Sequence, residues 1–302
     1  MQGFRSAVAA LTAVIAAASW AIVGAGQAGQ LPLEPLGNRG EALFPYLEGW
    51  YTNPDGTSTF LLGYNNRNTK QTFEIPIGPN NRIEPGPLDQ GQPTYFHTGR
   101  QNRMFTITVP KDFGNKKVTW TLAANGISQS VTFWLNPPYF IEPFLMTGTG
   151  NTPPVIRIDG GPEHTGPPRG IAKTFAAVVG QPLTLSVWAS DKAETIVLDP
   201  NPPQRGADGA RGAGGRGGRG AAAAGPPAVV TIAWAKYRGP GEVKSTPEKL
   251  PITDRAGQTV TTTATFSQPG EYWLRVNATE GSGEGGSGQC CSTSALVKVN
   301  VK

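Results

Sequence analysis

Cys290 and Cys291 are the only cysteines of this chain, and they are neighbours. Thiols can form disulfides, ligate metals or attack electrophiles, so their setting decides which chemistry is open. Adjacent Cα atoms lie about 3.8 Å apart, below the usual disulfide window of roughly 4.4–6.8 Å. A vicinal bridge therefore needs a distorted or cis peptide. If a terminal strand begins here, alternation puts Cys291 on the core face with Ala295 and Val297 and leaves Cys290 outside. One buried and one exposed thiol, a vicinal disulfide, and a bond to another chain all stay open. A metal centre would need more ligands, and the two histidines, His97 and His164, are far away in the sequence. A thiol nucleophile would need a base beside it. Neither a metal nor a cofactor is expected, and the chain reads as a non-enzyme.

Other candidates lie in the first half. His97 follows Thr94-Tyr95-Phe96, and Trp134, Tyr139 and Phe140 form a second aromatic cluster. Exposed rings can stack on sugars, so Tyr95, Trp134 and Tyr139 are candidate glycan-facing residues; ordinary core packing is the competing reading. Cleaving a glycan would require two converging carboxylates, and Glu48, Asp55, Glu74, Glu84, Asp89 and Glu142 are the pool. No H-E-x-x-H, G-x-S-x-G or P-loop motif occurs. Asp191, Glu194 and Asp199 have the wrong spacing for an EF-hand loop. Asn277-Ala278-Thr279 matches a glycosylation sequon but falls inside a predicted strand.

The formal net charge of +5 raises a nucleic-acid reading, which its distribution removes. Arg205, Arg211, Arg216 and Arg219 against Asp208 put +3 into one glycine-rich insertion, and Arg5 adds another +1. The remaining body is close to neutral, whereas a phosphate-binding face needs spread Lys and Arg. Gly206, Gly209, Gly212, Gly215 and Gly218 give a Gly-X-Y period far too short and Pro-poor for a collagen helix. A mobile basic loop is expected, able at most to touch acidic polysaccharide or an anionic envelope surface.

The elements that must position these groups are strands. The 40 Gly and 28 Pro among 302 residues suit many short strands and tight turns. Residues 1–28 have the form of a signal peptide: Arg5, an apolar run from Ala7 to Ala25, and small residues for cleavage. Uncleaved, the run is long enough to anchor in a membrane. A Pro-rich arm follows at 29–44, a β-sandwich domain at 45–146, a linker at 147–153 and a second domain at 154–302 with the insertion at 200–227. Asn53-Pro54-Asp55-Gly56 marks a hairpin, and further strands are expected at Gln71–Ile77, Met104–Val109, Lys117–Leu122 and Ile127–Leu135. A type I′ turn at Asn125-Gly126 would place Trp120 opposite Val131 and Val118 opposite Phe133, the register that the apolar pattern also demands. In the second half Leu183, Leu185, Val187, Ile232, Trp234, Phe266, Tyr272, Leu274 and Val276 alternate towards a common core, and Trp188 and Trp273 fall on outward faces of different sheets.

The second half resembles a PKD-type repeat, an immunoglobulin-like sandwich of the polycystic-kidney-disease family. The matching pieces are Val179-Gly180-Gln181-Pro182, Leu183–Asp191, Ile232-Ala233-Trp234, Gly239-Pro240-Gly241, Thr263-Ala264-Thr265-Phe266 and Pro269-Gly270-Glu271-Tyr272. The resemblance implies an extracellular spacer or interaction module; the insertion and Glu280 depart from its pattern. The expectation is thus an all-β chain of two tandem sandwiches behind a signal helix, secreted, periplasmic or at the cell surface. It would bind another extracellular or envelope protein, or a polysaccharide, and no nucleic acid. A carbohydrate-binding or carbohydrate-active first domain is the alternative.

Overall fold

The computed structural model describes residues 36–146, 150–192, 228–280 and 291–302. The expected signal helix, the insertion with Arg205, Arg211, Arg216 and Arg219, and Cys290 lie outside the described residues. The regular structure within them is β apart from one 3-10 turn at Pro137–Tyr139.

The first half contributes β1 (Leu43–Thr52), β2 (Ser58–Asn66), β3 (Phe73–Glu74), β4 (Asn81–Glu84), β5 (Tyr95–Phe96), β6 (Gly99–Val109), β7 (Val118–Ala124) and β8 (Ile127–Phe133). They form sheets β1-β2-β6 and β4-β7-β8, with β3-β5 as a small pair. The hairpin at 125–126 has the expected register, Val118 against Phe133 and Trp120 against Val131. Asn125 and Gly126 have φ of 52° and 75°, the left-handed pair that a type I′ turn requires. Val118, Trp120 and Phe133 are buried, and on the other face Thr119 bonds Thr132 while Thr121 bonds Ser130. Phe105 meets Trp120, and Phe60 meets Phe133, edge to face at 4.9 Å. The strand expected over 71–77 shortens to Phe73–Glu74, and Pro76, with no N–H for the ladder, bars its extension past Ile75. At its start β1 reaches into the predicted arm, where Ala42 and Leu43 are already buried.

The second half contributes β9 (Val155–Ile158), β10 (Glu163–His164), β11 (Ile171–Ala177), β12 (Leu183–Ser190), β13 (Val230–Arg238), β14 (Val243–Thr246), β15 (Lys249–Ile252), β16 (Gln258–Phe266), β17 (Gly270–Glu280) and β18 (Ser292–Val301). Two five-stranded sheets, β10-β9-β12-β16-β14 and β11-β18-β17-β13-β15, close an immunoglobulin-like sandwich. Its core holds Leu185, Val187, Ile232, Trp234, Phe266, Tyr272, Leu274 and Val276, as the alternation requires. Trp188 and Trp273 lie on strands of different sheets.

The described residues from 37 onwards belong to one compact unit. The outer face of β11-β18-β17-β13 is not left to water. Tyr237 and Leu296 are fully inside the apolar cluster of the first half, with Ile171 and Trp273 packed against it. Asn151, in the segment between the halves, is buried and donates to Glu280 at 2.6 Å.

Candidate functional site

A cleft of about 800 Å³ opens where the two halves meet. One wall is Thr72, Glu74, Tyr95 and His97; the other runs through Trp234–Lys236, Pro240–Val243, Ser245, Glu248, Ser267 and Gln268. A bulge in β13 builds this wall. Lys236 pairs Leu274 and Arg238 pairs Trp273, so one residue is inserted between them. The insertion breaks the alternation, and Lys236, Tyr237 and Arg238 all become buried in succession.

Each of the three finds its partner in the first half. The Lys236 ammonium donates to Glu74 at 2.8 Å and lies 4.6 Å from the centre of the Tyr95 ring. Tyr237 donates to the Gly91 carbonyl at 2.5 Å and stacks on Trp273. Arg238 grips Asp89 with two bonds of 2.8 Å and also donates to the buried Gln92 carbonyl. Those bonds from Arg238 hold the Asp89 carboxyl below its ordinary range. His97 donates from Nε2 to the Lys236 carbonyl at 2.8 Å and meets the edge of Tyr95. Burial pushes the His97 pKa down, with Arg275 and Lys236 adding to the effect against the pull of that carbonyl. The imidazole is therefore neutral at pH 7. Deeper in the junction, buried Arg275 donates to the Asn102 carbonyl and to Ser294, while Arg103 donates to Ser292.

Glu242 and Glu248 are exposed at the cleft and form no ion pair among the described residues. Trp234 is 5 % exposed, lines the cleft, and its indole N–H has no acceptor there. The site thus offers two open carboxylates and one unused buried donor.

The expected site residues are distributed differently. Tyr95 lines this cleft, whereas Trp134 and Tyr139 do not. Trp134 is half-buried under Lys117, 5.2 Å from its ring, and Tyr139 is exposed on the 3-10 turn. Within the carboxylate pool, Glu74 lines the cleft, Asp55 lines a cavity with Tyr51 and Arg169, and Glu84 lines another with Lys117. Asp89 is tied to Arg238, Glu48 accepts the Arg103 N–H, and Glu142 is exposed. Asp191 is paired with Arg255 at 2.9 Å. No group of three or more His, Cys, Asp or Glu able to hold a metal occurs among the described residues. Cys291 is buried, has φ of 86° and is disulfide-bonded. Sequence reasoning missed Lys236, Arg238 and Arg275; the signal available was three long polar or aromatic residues in a row, Lys236-Tyr237-Arg238, where a strand should alternate.

No protein family matches the chain, and no curated protein matches it. Among solved structures, the D00-D0 domain of intimin aligns at 13% identity over 85% of this chain and 99% of its own, with a TM-score of 0.25. The S-layer protein rSbsC aligns at 11% over 87% of this chain and 28% of its own, TM-score 0.24. The Yersinia pseudotuberculosis adhesin InvE aligns at 12% over 87% of this chain and 59% of its own, TM-score 0.24.

Proposed function

We propose that the chain is a non-catalytic binding or structural protein, secreted or held in the cell envelope, whose second half is a PKD-type module. The observation that carries this reading is the junction. The apolar cluster that takes in Tyr237 and Leu296 holds two sandwiches in one unit, and Arg238 with Asp89 and the Gln92 carbonyl, and Lys236 with Glu74, orient them. Ionic side chains in the junction are committed to holding its walls together, which suits a rigid body that presents surfaces to a partner. The signal-like first 28 residues supply the route out of the cytoplasm. The vicinal pairing of Cys290 with Cys291 belongs to this reading, since no third cysteine exists in the chain and an exported protein meets oxidising conditions.

Two measurements test it. Fractionation of cells expressing the tagged full chain should place it outside the cytoplasm, with the tag open to external or periplasmic protease. The purified chain should then be retained on isolated envelope material and leave a glycosidase substrate panel unturned. A cytoplasmic location, or turnover of a polysaccharide, would overturn the proposal.

A further inference from the structure

The cleft combines three features with one common partner. Its two unpaired carboxylates, Glu242 and Glu248, flank β14, which spans Val243–Thr246. Glu74 is already neutralised by Lys236, so among the residues that line the cleft Glu242 and Glu248 are the charges left over and favour a cation there, while Lys244 and Lys249, exposed on the same segment, do not line it. The second feature is β14 itself: it ends the sheet β10-β9-β12-β16-β14 and pairs only with β16 among the described residues. A terminal strand presents backbone N–H and C=O groups to an incoming extended segment. The third is independent of both. Trp234 lines the cleft, and its buried indole N–H bonds no acceptor among the described residues, which leaves one donor for a ligand's acceptor. A lone amine would answer the carboxylates and leave the indole unsatisfied. A neutral saccharide would do the reverse. A polypeptide answers all three, with a cationic side chain, an edge to pair and carbonyls to offer.

Resting on the binding-module reading, we infer that the cleft is a docking site for an extended segment of a partner polypeptide carrying Lys or Arg. The segment pairs along β14, its cations sit at Glu242 and Glu248, and one carbonyl takes the Trp234 N–H.

The test uses the full mature chain and a blocked hexapeptide alternating Thr and Lys, with a Thr/Glu hexapeptide as control. Calorimetric titration should show binding of the Lys peptide alone, weakening several-fold between 50 and 500 mM salt, as expected for exposed ion pairs. The Glu242→Gln/Glu248→Gln variant should lose at least about tenfold in affinity, equivalent to about 1.4 kcal/mol. Both side chains are exposed, so its melting temperature should match wild type. In parallel, the indole N–H resonance assigned by Trp234→Phe should shift on titration. Several outcomes would overturn the inference: no Lys-peptide binding, equal binding of both peptides, or affinity untouched by the double substitution. Binding that emerges only after residues 205–219 are deleted would also overturn it, by assigning the cleft to the chain's own insertion. None of these results alters where the protein fractionates, so the broader functional reading is judged separately.

Discussion

Replacing Arg238 by Ala separates two accounts of what holds the halves together. The guanidinium makes two bonds to Asp89 at 2.8 Å and two to the Gln92 carbonyl, at 2.9 Å from Nε and 2.6 Å from Nη2. It also lies 4.0 Å from the centre of the Trp273 ring. The Asp89 side chain is 53 % exposed, so it rehydrates when its partner leaves, and that pair contributes at most about 1 kcal/mol. Gln92 is fully buried. Its carbonyl loses both donors and cannot reach bulk water, which costs about 1.5–3 kcal/mol. Loss of the ring contact adds about 1 kcal/mol. The expected destabilisation is therefore about 4 kcal/mol, or a fall in melting temperature of roughly 8 °C for a body of this size.

Asp89→Asn should cost no more than about 1 kcal/mol, because it spares the Gln92 carbonyl. Calorimetry and urea unfolding of the two variants measure the difference. The reasoning is refuted if Asp89→Asn and Arg238→Ala lose equal stability, since the exposed ion pair would then dominate. Acid supplies a second check. The Asp89 pKa is depressed on folding, so its contribution is complete above the unfolded value near 4 and is lost as pH falls through the folded value. Arg238→Ala should remove that acid-dependent loss.

Three further outcomes follow from the same geometry. Burial depresses the His97 pKa, so stability should be full above about pH 6.5 and decline as pH falls towards the folded value; His97→Gln should flatten that slope in pH-dependent thermal melts. Gly239 has φ of 134°, and a Cβ there would lie 2.2 Å from the buried Tyr272 ring. Gly239→Ala should therefore destabilise by about 3 kcal/mol or more in urea unfolding, and a loss within experimental error would contradict the tight approach. Denatured, unreduced protein should give no reaction with a thiol reagent and two thiols after reduction; one thiol before reduction would exclude a Cys290–Cys291 bridge.

What could be read in advance follows from which interactions are local. The β7–β8 hairpin joins residues a few positions apart, so turn chemistry and alternation state the same register twice. Trp234 and its companions are core residues by parity alone, and parity also sends Trp188 and Trp273 outward. Parity cannot say what covers an outward face. Arg275 sits between Leu274 and Val276 like any solvent-facing residue, yet it is 9 % exposed because the first half packs over β17. Tyr95, Trp134 and Tyr139 show the same limit. All are aromatic and lie in the first half, but β5 pairs with β3, which carries Tyr95 beside Glu74 and away from the segment after β8. The bulge at Lys236/Arg238 was hidden for a different reason: it inserts one residue into an otherwise regular strand, and its benefit lies wholly in contacts with a distant part of the chain.

The chemistry of the junction bears on why the cleft exists. Two apolar faces can slide or rotate with little loss, because the hydrophobic effect is non-directional. Hydrogen bonds from cations are directional. Arg238 can reach Asp89 and the Gln92 carbonyl together, and Lys236 can reach Glu74 across the Tyr95 ring, in a narrow range of relative orientations. Burial of Arg275 is not optimised for stability, since its Nε has no acceptor among the described residues. An apolar residue there would avoid that cost, so what the arginine adds is direction, through Asn102 on one side and Ser294 on the other. The cleft walls come from both halves, and its shape is therefore only as defined as the angle between them. The same contacts that fix this angle also consume Glu74, leaving Glu242 and Glu248 as the charges that face outward from the finished site.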